Sequence, residues 1–203
     1  MKNEGSKIIQ KRYDRVSPIY DLMDRMIKHQ WRRELLNNIE GNVLEVGIGT
    51  GANLAYYPED ITLTGIDFSS GMLKRARQKA DTMKLPFQIT LLEMDAQQMN
   101  FAENSFDYVV ATCVFCSVPD PIAGLKEIKR VCKPNGKVLL LEHMRSENEA
   151  VGKVMDVLNP LAVKLWGANI NRKTLQNIER GGLEIERNEE LYRSIVRRLT
   201  LHP

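Results

Sequence analysis

The stretch VLEVGIGTGANL, residues 43–54, decides the fold. A short apolar run, 43–46, ends at Gly47; Gly49 and Gly51 follow at alternate positions, and the next residues read as the start of a helix. A strand that turns on glycines into a helix opens a βαβ unit. The glycines permit a tight turn and let a ligand approach where a Cβ would otherwise stand. With Ala52 in the third position, the run also satisfies the dinucleotide pattern G-x-G-x-x-G/A. Read alone, it admits a dinucleotide, a phosphate or a sulfonium cofactor.

Beyond this turn, strand-like and helix-like segments alternate. Residues 61–66 (ITLTGI) are β-branched and end at Asp67, 72–83 have helical spacing, and 87–92 (FQITLL) alternate like a strand. Residues 108–111 (YVVA) form an apolar strand, 121–132 an amphipathic helix, 134–136 (PNG) a turn, and 137–141 (KVLLL) another buried strand. Continuous apolar strands separated by helices indicate a parallel sheet covered on both faces. Residues 183–191 and 194–201 are both extended with no room for a helix between them, so an antiparallel hairpin is expected at the sheet edge. Before the first strand, residues 8–39 carry apolar positions three or four apart, and Pro18 is expected to split them into two helices. The expectation is an α/β, Rossmann-like, doubly wound sheet of seven mostly parallel strands. It ends in an antiparallel hairpin and carries an N-terminal helical lid. One domain spans 1–203: the lid at 1–40, the ligand-binding core at 41–145, and an acceptor-side insertion with the edge hairpin at 146–203.

The composition is that of a soluble globular chain, with 27% charged and 43% apolar residues. No run approaches the ~18 uncharged apolar residues of a membrane span, and no signal-peptide core is evident. Three cysteines in no disulfide pattern point to a cytoplasmic setting. The net charge of +3 is unevenly placed. Residues 1–33 hold nine Lys and Arg against four acids, a local +5 that suggests a peripheral contact with an anionic membrane surface. A solvated helix face explains the same charges.

Four observations choose the cofactor. No Lys-Ser/Thr follows the glycines, which excludes a phosphate-loop NTPase. Glu45, two residues before the first glycine, would repel a pyrophosphate but could pair with a cationic amino-acid tail. Asp67 ends the second strand, where a carboxylate can accept ribose hydroxyls of either cofactor, and Asp95 ends the third, where an acid can take an adenine amino group. A dehydrogenase needs a substrate domain for which 203 residues leave no room. S-adenosylmethionine (SAM), leaving as S-adenosylhomocysteine, satisfies all four.

The segments LEVGIGTGANL, GIDFSSGML, MDAQQMNFAENSFDYVV and VCKPNGKVLLLEH resemble the successive motifs of class I SAM-dependent methyltransferases. YDRVSPIYDLMDRMIKHQWRR resembles the opening of the ubiquinone/menaquinone C-methyltransferases and of bacterial phosphatidylethanolamine N-methyltransferases. CVFCSVPDP and NPLAVKLWGANINRKTLQNIERGGLEI look more like small membrane-associated thiol and phospholipid methyltransferases. The resemblance places Glu45, Gly47, Gly49 and Gly51 at the methionine moiety, Asp67 at the ribose and Phe68 and Met72 beside the adenosine. Asp95 and Ala96 then contact the adenine, and Thr112 sits near the sulfonium. It also implies an N-terminal tyrosine closing over the cofactor: Tyr13 as a cofactor contact and Tyr20 as a catalytic residue, each equally able to be a helix-packing residue.

His143 ends a central strand (LLLEH) at the ligand edge, where a near-neutral pKa suits removal of a proton from an acceptor. A structural histidine bonded to a loop is the plainer alternative. Cys113 and Cys116 form a C-x-x-C without a second ligand pair, so no metal is expected; Cys116 and Ser117 follow the fourth strand and can face the acceptor. Leu158, Leu161, Val163, Leu165 and Trp166 are expected to line an apolar acceptor pocket or to form core. The acceptor itself stays open. It is a membrane phospholipid amine or a quinone; alternatively it is a soluble thiol, amine or hydroxyl, or the protein binds SAM as a non-catalytic regulator. Nucleic-acid substrates are disfavoured, because the body carries no basic face.

Overall fold

The apolar run before Gly47 lies in the middle of a sheet. The computed structural model describes Gln10, Tyr13, Asp14 and residues 27–203, with residue 166 described in its backbone only. Five strands run parallel: β1 (Gly41–Val46), β2 (Ile61–Asp67), β3 (Gln88–Glu93), β4 (Phe106–Thr112) and β5 (Cys132–His143). β6 (Glu184–Tyr192) and β7 (Val196–His202) form a hairpin whose second strand pairs antiparallel to β5. The sheet order is β3-β2-β1-β4-β5-β7-β6, so the mostly parallel sheet with its antiparallel edge hairpin is as expected. In the three-residue connection of the hairpin, Arg193 and Ser194 take positive φ, and Ile195 N donates to Tyr192 O to close the turn.

Among the described residues the helices are α1 (His29–Leu36), α2 (Ser70–Met83), α3 (Pro121–Val131), α4 (Glu149–Trp166) and α5 (Thr174–Gly181). Side chains alternate across the central strands and build two cores. Leu44, Val46, Val109 and Leu140 pack with Leu125 and Ile128 of α3 and Ile178 of α5. Val43, Val110 and Leu141 pack on the other face with Leu35 and Leu36 of α1 and Leu73 of α2. Side-chain caps start the helices where the sequence offers them. Ser69 accepts from Met72 N, Asp120 from Ile122 N and Ala123 N with Pro121 at the first position, and Asn148 from Ala150 N and Val151 N.

Three expectations change. The segment after Gly51 is not an α-helix but a 3₁₀ turn of three residues, Leu54–Tyr56. Pro58 forces Tyr57 into an extended conformation (ψ 139°), and Asn53 is spent on side-chain bonds, so there is no helix N-terminus at 53–56. The turn at 134–136 is a bulge inside β5: Cys132 pairs with Phe106 and Lys137 with Tyr108, leaving the residues between them opposite Asp107. Finally, Leu158, Leu161 and Leu165 line no pocket and no core; they stand 48%, 55% and 57% exposed on α4, because the helix turns a different face, including Met155 and Ala162, to the protein. Val163 is half-buried, while the side chain of Trp166 lies outside the described residues, as do Tyr20 and the break expected at Pro18.

Candidate active site

In this strand order β1 has β2 on one side and β4 on the other, which makes the gap beyond β1 and β4 the topological switch point. A cavity of about 660 Å³ opens there. Its walls come from the glycine turn (Gly47, Gly49), the end of β2 (Ile66, Asp67, Phe68, Met72), the loop after β3 (Met94, Asp95, Ala96, Gln97), and β4 with its following loop (Thr112 to Val114, Ser117 to Pro119). Tyr13 lies across it.

The glycine turn is built by close approach. Gly47 has φ +67°, and a Cβ there would meet Val114 Cγ2 at 2.6 Å, so the turn after β1 and the loop after β4 touch backbone to side chain. Gly49 and Gly51 also take positive φ. Asp67 fastens this turn to β2. Its Oδ2 accepts from Gly49 N at 2.9 Å and its Oδ1 from Ser69 N at 2.9 Å. Burial pushes its carboxyl up to about 6 against the pull of those two bonds. Each oxygen keeps a lone pair for a further donor, and a vicinal diol offers two.

Tyr13, Asp14 and Gln10 lie against this edge. The Tyr13 and Ser117 hydroxyls share a hydrogen bond at 2.5 Å, and the Tyr13 ring meets Phe68 edge-on at 5.8 Å. Burial pushes the Tyr13 phenol well above its ordinary value, so it acts as a neutral hydroxyl. Asp14 Oδ1 accepts from Ser69 Oγ at 2.6 Å and Gly71 N at 3.1 Å, and Gln10 Nε2 donates to Phe68 O. Asp95 Oδ1 is turned toward Gln97, accepting from its backbone N and its Nε2, both at 2.9 Å.

Of the sequence-derived residues, Tyr13, Gly47, Gly49, Asp67, Phe68, Met72, Asp95, Ala96 and Thr112 all border this cavity. Glu45, Gly51 and His143 stand back from it. Glu45 lies behind the glycine turn, accepting from Asn53 Nδ2 at 2.7 Å and Tyr57 Oη at 3.1 Å, while Arg32 Nη1 donates to Asn53 Oδ1. Burial pushes the Glu45 carboxyl up to about 7. Asn53 also donates to Thr112 Oγ1 at 3.0 Å, so this buried cluster ties β1 to β4 beneath the turn. His143 is half-buried at the end of β5, and burial lowers its pKa and favours the neutral ring. Cys113 lines the cavity with φ +54°, whereas Cys116 is buried, its thiol 3.2 Å from Cys113 O and pushed up to about 12 by burial. Among the described residues no group of three His, Cys, Asp or Glu could hold a metal ion.

Sequence reasoning missed Glu142, one residue before His143. Strand alternation points the two side chains to opposite faces. Glu142 is fully buried, and its Oε1 accepts from Val114 N at 2.9 Å and Phe115 N at 3.2 Å, which fixes the cavity wall after β4. Its Oε2 has no partner, and burial pushes the carboxyl up to about 8. An acid inside an otherwise apolar strand was the available signal. Val118, Pro119 and Gln97 gave none, since loop residues without charge carry no pattern.

A sheet of this order with a glycine turn, a buried carboxylate at the end of β2 and an apolar slot defines a class I nucleoside-cofactor site. The methyltransferase-domain family model matches residues 44–140. The chain is 36% identical over 143 residues to a phosphatidylethanolamine N-methyltransferase of Cereibacter sphaeroides, covering 69% of this chain and 70% of that one. It is 33% identical over 154 residues to a ubiquinone/menaquinone biosynthesis C-methyltransferase of Geotalea daltonii, covering 70% of this chain but only 65% of the relative. A SAM-dependent methyltransferase of Thermotoga maritima shares the fold with a TM-score of 0.69 at 16% identity, over 95% of this chain and 98% of that one. The protein belongs to the SAM-dependent methyltransferases, and SAM is its methyl donor. The cavity residues fit that donor: Gly47 and Gly49 line it without side chains, and the Asp67 oxygens keep acceptor capacity for a ribose.

Proposed function

We propose that the protein transfers the methyl group of SAM to a small lipophilic acceptor, a phospholipid amine of the phosphatidylethanolamine type or a quinone precursor. The observation that carries this reading is the two-sided cavity. Its nucleoside side is polar around Asp67, Asp95 and Gln97, while the wall after β4 is formed largely by Cys113, Val114, Val118 and Pro119. The two sequence relatives are named for phosphatidylethanolamine and for ubiquinone/menaquinone biosynthesis, which supports an apolar partner.

Bound SAM supplies an electrophilic methyl on a sulfonium, so the protein needs to align and desolvate rather than activate strongly. Asp67 accepts the ribose hydroxyls, Phe68 and Met72 flank the adenosine, and Asp95 with Ala96 bounds the adenine end. Tyr13 closes the cavity and bonds the acceptor wall through Ser117. Glu45 acts from behind the turn, bracing it through Asn53. His143 stands back from the cavity lining, so its part is to receive an amine proton relayed from the acceptor; burial keeps its ring neutral, the form that can take a proton. Residues 1–33, with their net +5, add a peripheral attraction to anionic lipid.

Labelled SAM incubated with the full chain and a bacterial lipid extract tests the reading. Label in a phospholipid or quinone fraction supports it. Label only in water-soluble thiols, amines or hydroxyl compounds overturns the lipophilic acceptor.

A further inference from the structure

Helix α4 carries a second surface that the cavity does not use. Val151, Val154, Leu158, Leu161 and Leu165 recur at alternating steps of three and four, with Val157 beside them, and so form one continuous ridge along the helix. All six are exposed, from 42% at Val151 to 79% at Val157. Isolated apolar side chains on a surface are ordinary, but an unbroken ridge along about 21 Å of helix is a docking surface.

The charges around it say what docks. On the helical wheel Lys153 and Lys164 fall next to Val157 along the solvent-side border of the ridge, both exposed. The acids of the same helix, Glu149 and Asp156, lie farther round and are engaged by Arg145 at 3.4 and 3.1 Å. A ridge of Val and Leu bordered by lysines, on a helix too polar to cross a bilayer, matches a helix lying in the plane of an anionic membrane surface. Its inner face connects to the cavity. Asn159 Nδ2 donates to Asn169 Oδ1, and Asn169 Nδ2 and N donate to Cys116 O at 3.1 and 2.9 Å, beside the cavity-lining Ser117.

We propose that the α4 ridge docks on an anionic lipid bilayer and seats the enzyme with its cavity beside the headgroups. This deepens the lipid-acceptor reading and rests on it for its purpose. The ridge residues are exposed, so glutamate replacements leave the fold intact.

The test is co-sedimentation of the full chain with vesicles of phosphatidylcholine alone or mixed with phosphatidylglycerol, alongside thermal melting and sedimentation. The wild type binds the mixed vesicles, and Leu158→Glu/Leu161→Glu lowers partitioning at least tenfold with unchanged Tm. Lys153→Glu/Lys164→Glu lowers it most at low salt, where surface charge is least screened. Undiminished binding by the leucine variant overturns the proposal. So does a wild-type dimer that this variant dissociates, or a Tm drop of several degrees showing that the chain already covers the ridge. Label transfer to phosphatidylethanolamine in detergent micelles separates the two readings. Transfer in micelles without vesicle binding overturns the ridge alone, whereas vesicle binding without transfer to any lipid supports the ridge and overturns the lipid acceptor.

Discussion

Gly49 donates its backbone N–H to Asp67 Oδ2 at 2.9 Å, so the turn after β1 and the carboxylate that ends β2 are one unit. The same carboxylate is held up at about 6 by burial. With the ribose placed on Asp67 as proposed, its hydroxyls donate to the ionised form, and protonation of Asp67 removes that acceptor. SAM affinity is expected to be flat above about pH 7 and to fall as pH drops through about 6, as read by calorimetric titration between pH 5 and 8. Affinity unchanged down to pH 5 contradicts this coupling.

Glu142 gives a stability signature of opposite sign to ordinary acid denaturation. Its pKa is raised from 4.5 to about 8 on folding, so between those values the folded state binds more protons than the unfolded chain. Its contribution therefore makes stability fall as pH rises from about 4.5 to about 8. Glu142→Gln keeps an oxygen for Val114 N and Phe115 N while removing the ionisation. The variant is expected to match the wild type near pH 5 and to melt higher at pH 8, measured by circular dichroism. Identical melting at both pH values contradicts the burial argument.

Tyr13→Phe removes the hydroxyl shared with Ser117 but keeps the ring against Phe68. One hydrogen bond of about 0.5–1.5 kcal/mol corresponds to a several-fold rise in the KM for SAM, with little change in Tm. Steady-state kinetics on the acceptor identified by label transfer provide the measurement.

Gly47→Ala meets two penalties at once. Positive φ costs a non-glycine residue about 1–3 kcal/mol. In addition, the new methyl would lie 2.6 Å from Val114 Cγ2. Urea unfolding is expected to show a loss of that order or more, and Val114→Ala in the same chain should recover only the steric part.

Much of the sheet was legible because β1, β4 and β5 are buried on both faces, with apolar runs at 108–111 and, but for Lys137 and Glu45 respectively, at 137–141 and 43–46. The place of Asp67 and Asp95 at the cavity edge was legible because acids at the carboxyl ends of parallel strands face the crevice at a switch point. What was hidden depends on contacts distant in sequence. Asn53 reads as part of a helix start, yet its amide is claimed by Glu45 and Thr112, and Pro58 closes the turn. The bulge opposite Asp107 follows from pairing with β4, which no local pattern reports. Glu142 was passed over for His143 because a near-neutral side chain draws attention, whereas a buried carboxyl earns its role only from the backbone N–H groups it meets. Leu158, Leu161 and Leu165 have the spacing of a core face, and spacing alone cannot tell packing against protein from an open surface.

His143→Ala is expected to lower turnover while leaving SAM affinity unchanged, because the residue borders no part of the cofactor cavity. Unaltered kcat would remove His143 from the chemistry.

The most direct test of the account is the binding of SAM to the wild type and to Asp67→Ala by isothermal titration calorimetry at pH 7.5. Loss of both acceptor oxygens at the centre of the cavity predicts affinity weakened at least tenfold in a variant that still melts cooperatively. Equal affinity in the two proteins would contradict the placement of the cofactor, and with it the assignment of every residue around the glycine turn.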